Sequence, residues 1–217
     1  MRHLVLLAGA VAAYMIVKQA NEAGYFTMDP EDQTGSVIDQ LPDIGDFEIM
    51  IGPTTEVDPA QAQRNRAAVL AAIRFSEGTR SEEGYRALFG WAPGNGKTFS
   101  SFATHPRQFF QYRDLAGNLI RTSAAGAYQI TATTYDLLQK GYPGRFADFS
   151  PAAQDSMALT LISERGALAD VDAGRLVSAL SKIRRVWASL PGAGANQPER
   201  SLADVAAAFT NAGGVLA

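Results

Sequence analysis

The stretch DPAQAQRNRAAVLAAIRFSEGT, residues 58–79, decides how this chain is read. Asp58 before Pro59 is the pairing of a helix N-cap with a proline at the first helical position, where a missing N–H costs nothing. A helix is predicted from there to about Ser76. Leu70, Ile73 and Glu77 recur at spacings of three and four, so they share one face. Gly78 is suited to end the helix in a left-handed cap. An apolar stripe thus ends in a carboxyl group where the helix opens into a loop. Partial desolvation disfavours the charged form and raises a carboxyl pKa, and the negative end of the helix dipole pushes the same way. An acid still protonated near neutral pH suits cleavage of a glycosidic bond, whose leaving oxygen must receive a proton. From spacing alone, a solvated glutamate at a helix end is the favoured reading.

Downstream, residues 84–122 are rich in Gly, Pro, Thr and aromatics, and short alternating pieces such as Phe99-Ser100-Ser101-Phe102 suggest a small β element. Helical patterns then take over at about Tyr128–Lys140, Pro151–Arg165 with Ser150 as cap, Ala173–Ser189 and Leu202–Ala212. The expected fold class is therefore α+β, mainly α, with a small β-rich insertion after the first helix, over residues 58–217.

Upstream, residues 27–57 mix Asp, Gly, Pro and Thr with isolated aliphatics and follow neither the helical nor the strand period, which reads as an acidic linker. A partner-binding strip is the alternative. Residues 1–26 hold fourteen uncharged residues, Leu4 to Val17, after Arg2 and before Lys18. A full span needs roughly 20 apolar residues, and no clear small-residue cleavage site follows the run. It is read as an N-terminal hydrophobic anchor or export segment, with a buried apolar helix as the alternative.

The chain has 217 residues and no cysteine, so disulfides and thiolate metal sites are excluded. Its two histidines, His3 and His105, lie too far apart in sequence to suggest a His-based zinc site. No metal or cofactor is expected. The net charge of −3 is unevenly spread. Nine acids and no base fall between Thr27 and Gln63, whereas the remainder from Arg64 holds seventeen bases against twelve acids. That surplus favours a polyanionic target such as a bacterial wall or a nucleic acid, although ordinary solubilising charge would look alike. Gly94-Asn95-Gly96-Lys97-Thr98 hints at a phosphate loop, but Trp91 occupies the place of the required first glycine and no apolar strand precedes it. Nucleotide binding is set aside, and no nucleic-acid partner is expected.

Phe75-Ser76-Glu77-Gly78-Thr79 resembles the segment that bears the catalytic glutamate in the lytic transglycosylase family of phage lambda-type endolysins, which has a lysozyme-like fold. The resemblance continues in order through FSSFATHPR (99–107), TSAAGAYQ (122–129), Asp148-Phe149-Ser150-Pro151 with Gln154-Asp155, Glu164 to Leu168, and WASLPGAG (187–194). It covers about Arg64 to Gly214. The family pattern has an acid directly before His-Pro, where this chain has Thr104, and an aromatic after WASLPGAG, where it has Ala195.

The resemblance implies a lysozyme-like domain that cleaves bacterial peptidoglycan between N-acetylmuramic acid and N-acetylglucosamine, with Glu77 as both acid and base and a 1,6-anhydro product. A two-carboxylate glycosidase needs a partner acid about 5–10 Å away, and Asp114 and Asp136 are the only nearby candidates. By the same resemblance Ser123, Gly126, Tyr128 and Gln129 form the substrate-binding loop, although Tyr128 also fits a core position and Ser123 a helix cap. His105 reads as a loop-fixing residue, and Trp187 as core beside Leu180 and Ile183. The expected setting is phage lysis or virion-borne wall penetration. The protein would be membrane-anchored or virion-associated through its N-terminal segment, with the catalytic domain acting in the periplasm. A hydrolytic lysozyme on the same fold and a non-catalytic wall-binding virion protein are the alternatives.

Overall fold

A computed structural model describes residues 57–217. The expected anchor or export segment and nearly all of the expected acidic linker lie outside the described residues. Helix α1, Pro59–Glu77, begins where Asp58 Oδ1 accepts the Ala60 N–H at 3.0 Å. It ends at Gly78 (φ 76°), whose successor Thr79 donates its N–H to the Arg74 carbonyl at 2.8 Å. The Arg74 side chain then clamps the turn, donating to the carbonyls of Arg80 and Ser81, both at 2.8 Å. A cation at a helix C-terminus also complements the dipole.

After a 3-10 turn at Glu82–Arg86 the chain runs irregularly to the antiparallel hairpin β1 (Phe110–Arg113) and β2 (Leu119–Thr122), with Phe110 opposite Thr122. The helices that follow are α2 (Ala132–Gly141), α3 (Pro151–Glu164), α4 (Leu168–Asp172), α5 (Leu176–Ile183) and α6 (Leu202–Asn211). Helix α1 packs on α6, α4 and α3. Ala68 and Ala72, both fully buried, let neighbouring elements approach closely, and Ile73, Met157, Ile162, Ile183 and Phe209 fill the core. Each large apolar side chain buried there contributes about 1.5–3 kcal/mol.

The sequence expectations need three corrections here. The β element is the hairpin 110–122, and Phe99-Ser100-Ser101-Phe102 is loop, its aromatics turned inward to stack edge-on at 5.6 Å. Helix α2 starts at Ala132, because Gln129 takes φ 46° and Thr131 caps the helix by accepting the Thr134 N–H. The expected helix 173–189 is only Leu176–Ile183, since Gly174 at φ 76° breaks the chain just before it. The helix expected at about 151–165 is present as Pro151–Glu164, with Ser150 as its cap.

Candidate active site

A cleft of about 180 Å³ opens where the end of α1 meets the hairpin, the 122–131 loop and the segment after α5. Glu77, Phe89, Tyr112, Gln129, Thr131, Trp187 and Gln197 are among its walls, and Glu77 is the one acid lining it. A larger groove of about 640 Å³, between α5, α6 and the C-terminus, has almost wholly apolar walls, with Arg175 its one charged side chain. That groove has no acidic side chain to donate a proton, whereas the smaller cleft has one, which makes the smaller cleft the candidate site.

Glu77 is brought there by the last turn of α1. It keeps some accessible surface, yet its carboxyl is enclosed by protein, and loss of water raises its pKa to about 7. One contact opposes that rise. Ser189 Oγ donates to Glu77 Oε1 at 2.6 Å, favouring the ionised form. The net result is an acid poised near neutral pH, able to give a proton and take one back.

Ser189 therefore tunes the acid, and a specific outcome is expected. In Ser189→Ala the opposing hydrogen bond is lost, so the alkaline limb of the pH–rate profile should move above its wild-type position near pH 7. Turnover below the limb should fall about tenfold as Glu77 loses its orientation. Rates measured from pH 5 to 9 check both, and an unmoved limb would show that Ser189 only packs.

The loop 122–131 is positioned from beneath. Gly126 sits at φ 75° against the fully buried Gln154, whose Oε1 accepts the Ala127 N–H at 2.8 Å. Gln154 Nε2 donates to the carbonyls of Tyr85 and Phe149, at 3.0 and 2.8 Å. Thr79 Oγ1, two residues past Glu77, donates to the Ala127 carbonyl at 2.5 Å. The turn after the acid and the loop facing it are thus tied together.

Of the expected substrate-binding residues, the structure brings only Gln129 into the cleft with Glu77. Tyr128 is 1% exposed and points into the core, where its hydroxyl donates to Asp155 at 2.6 Å. Ser123 is also buried, and its Oγ accepts the Ala132 N–H at 2.9 Å, supporting the start of α2. Gly126 shapes the turn and lies outside the cleft wall. These three hold the loop from within. Trp187 is core as expected, and its Nε1–H donates to the Tyr128 carbonyl at 3.0 Å while one edge of the residue lines the cleft. His105 fixes its loop, with Nε2 bonded to the Ile130 carbonyl at 2.9 Å and Nδ1 accepting the Arg107 N–H. Burial holds its pKa below the usual histidine value.

Sequence reading missed Ser189, Thr131, Tyr112 and Gln197. Ser189 lay inside the quoted WASLPGAG run, but nothing in its spacing linked it to Glu77, 112 positions away. Gln197 Nε2 donates to the Tyr112 hydroxyl at 2.5 Å, and Leu115 N–H to the Asn196 carbonyl at 2.9 Å. The strap 191–200 so reaches the hairpin. Glu199 stiffens that strap by accepting the N–H groups of Gly192 and Gly194 at 2.7 and 2.6 Å. Asp114 and Asp136 are committed elsewhere: Asp114 accepts from Asn118 in the hairpin turn, and Asp136 pairs with Arg107.

Comparison with known proteins supplies the family. The family model described as Endolysin matches residues 67–216. The endolysin of Escherichia phage P2 is 36% identical over 165 residues, covering 71% of this chain and 96% of the relative. That of Escherichia phage lambda is 33% identical over 162 residues, covering 72% and 96%. Among solved structures, bacteriophage lambda lysozyme complexed with a chitohexasaccharide superposes with a TM-score of 0.61 at 33% identity, covering 71% of this chain and 97% of the other. A second lambda lysozyme structure gives 0.59 at 32% identity. The matched region spans both the acid on α1 and the loops that face it, so this chain belongs to the endolysin family and carries its lysozyme-like fold.

Proposed function

We propose that this endolysin-family enzyme degrades bacterial peptidoglycan as a lytic transglycosylase in phage lysis. The observation that carries the reading is the single acid in the cleft, raised to about 7. Protonated Glu77 gives its proton to the glycosidic oxygen as the bond from the anomeric carbon of N-acetylmuramic acid breaks. The 6-hydroxyl of the same sugar attacks that carbon, and the Glu77 carboxylate accepts the hydroxyl proton. The product is a 1,6-anhydro sugar, and the acid is restored. Because the nucleophile is tethered to the substrate, proximity does the work that a positioned water would otherwise need.

Hydrolysis with a second carboxylate is less well supported, because Asp114 and Asp136 are held in the hairpin turn and by Arg107 and neither lines the cleft. Kinship with the lambda lysozyme solved with a chitohexasaccharide supports a glycan substrate. Digestion of purified peptidoglycan followed by mass spectrometry tests the reading. Fragments one water lighter than hydrolytic products, with no reducing end, are expected. Reducing ends would assign hydrolysis, and no cleavage would favour a wall-binding role.

The proposal extends to the setting. The apolar run Leu4–Val17 and the acidic stretch 27–57 support attachment to a membrane or particle, with the catalytic domain acting in the periplasm. Fractionation of expressing cells tests this, and recovery of the full chain only in the soluble fraction would remove the membrane option.

A further inference from the structure

Beside the catalytic cleft lies a second cavity of about 240 Å³, walled by Thr134, Leu137, Glu164, Arg165, Arg185 and Val186 among others. Val186 lines both hollows. On the opposite rim, Thr131 of the cleft and Thr134 of the cavity stand one turn apart, their hydroxyls 3.0 Å from each other. A chain lying in the cleft can therefore send a branch over this rim.

The cavity's charge does not suit a neutral sugar. Arg165 follows α3 and Arg185 follows α5, and both are exposed. Neither forms an ion pair among the described residues. Glu164, the one acid on the wall, faces the Tyr142 hydroxyl and holds its proton on. Leu137, 65% exposed, adds an apolar surface. Guanidinium groups pair with planar carboxylates through two parallel N–H donors. A peptidoglycan strand concentrates carboxylates on the stem peptide, which branches from the lactyl group of N-acetylmuramic acid.

Resting on the transglycosylase reading above, we propose that the cavity between Arg165 and Arg185 is a subsite for the acidic stem peptide carried by the muramic acid beside the cut bond. The two guanidinium groups bind its side-chain and main-chain carboxylates, and Leu137 packs on its alanine methyl groups. The enzyme thereby prefers peptide-bearing strands over bare glycan.

The test compares glycan strands of equal length, one set with peptides intact and one stripped by an N-acetylmuramoyl-L-alanine amidase. Wild type and the double variant Arg165→Glu, Arg185→Glu are assayed on both, with thermal melts as a check on folding. Wild type should show a KM about tenfold lower on peptide-bearing strands. The variant should raise that KM about tenfold or more, while staying within about twofold of wild type on stripped strands. Equal wild-type KM on the two substrates, or an equal loss by the variant on both, overturns the subsite and leaves the transglycosylase reading standing. A wild-type enzyme inert on both strands overturns the two together.

Discussion

Glu77→Gln should lose at least about 10³-fold in glycan cleavage and yet fold more stably than wild type at pH 8. The first half follows from the amide, which has no proton to give to the leaving oxygen and, on the proposed transglycosylase route, no lone pair basic enough to take one from the 6-hydroxyl. General acid–base help is worth about 10²–10⁴-fold, and on the proposed mechanism one group supplies both transfers. The second half follows from linkage. Burial raises the Glu77 pKa from 4.5 to about 7 in the folded protein, so the folded state holds this proton more tightly than the unfolded chain does. Stability therefore falls as pH rises from about 4.5 through about 7, by up to about 3 kcal/mol. Residual exposure toward the cleft lowers that figure. Glutamine carries no charge to desolvate, and its carbonyl oxygen can still accept the Ser189 hydroxyl. The variant's advantage in denaturant midpoint should be near zero at pH 4 and largest at pH 8. Zymography and urea melts at the two pH values check both halves. Equal clearing by the two proteins refutes the acid, and a gain independent of pH refutes the buried charge.

The ends of α1 could be read in advance because they depend on local chemistry alone. Asp58-Pro59 starts the helix and Gly78 stops it, with no need of distant partners. Ser150-Pro151 did the same for α3. Where the chain turns through positive φ without an obvious signal, reading failed. Gln129 takes φ 46° in a run whose apolar spacing continues that of α2, so periodicity carried the helix four residues too far back. Gly174 offered a clearer break, but the helical pattern on either side outweighed it. The site was legible only in part for a similar reason. Glu77 is marked by its own helix, and Gln129 by its motif. Tyr128 sits next to Gln129 in sequence and faces the opposite way, drawn inward by Asp155, which also accepts the Tyr85 hydroxyl at 2.8 Å. Ser189 is tied to Glu77 only by the fold. A motif located the loop, and only packing decided which of its side chains face the cleft.

That packing predicts a large effect far from any reacting atom. Gly126→Ala should destabilise the domain by about 3–5 kcal/mol and take activity down with it. A Cβ at position 126 would lie 2.2 Å from Gln154 Oε1 and 2.7 Å from its Cδ, so the carboxamide would have to leave. It cannot leave cheaply, because it is fully buried and bonded to Ala127, Tyr85 and Phe149. Each buried group stranded by its departure costs about 1–3 kcal/mol, on top of about 1–2 kcal/mol for a non-glycine residue in the left-handed region. Gly94→Ala supplies the control. Gly94 has φ 80°, close to the 75° of Gly126, but a Cβ there would meet nothing within 4 Å. Gly94→Ala should therefore show the backbone cost alone, about 1–2 kcal/mol, with activity kept. For a domain of this size the difference between the two variants corresponds to about 6–9 °C in melting temperature. The loss of activity in Gly126→Ala has a defined route, since the Ala127 carbonyl is the acceptor for Thr79, and Thr79 fixes the turn that aims Glu77. Equal melting temperatures for the two variants would mean that Gln154 yields freely, and the loop would then need another support than the one assigned to it.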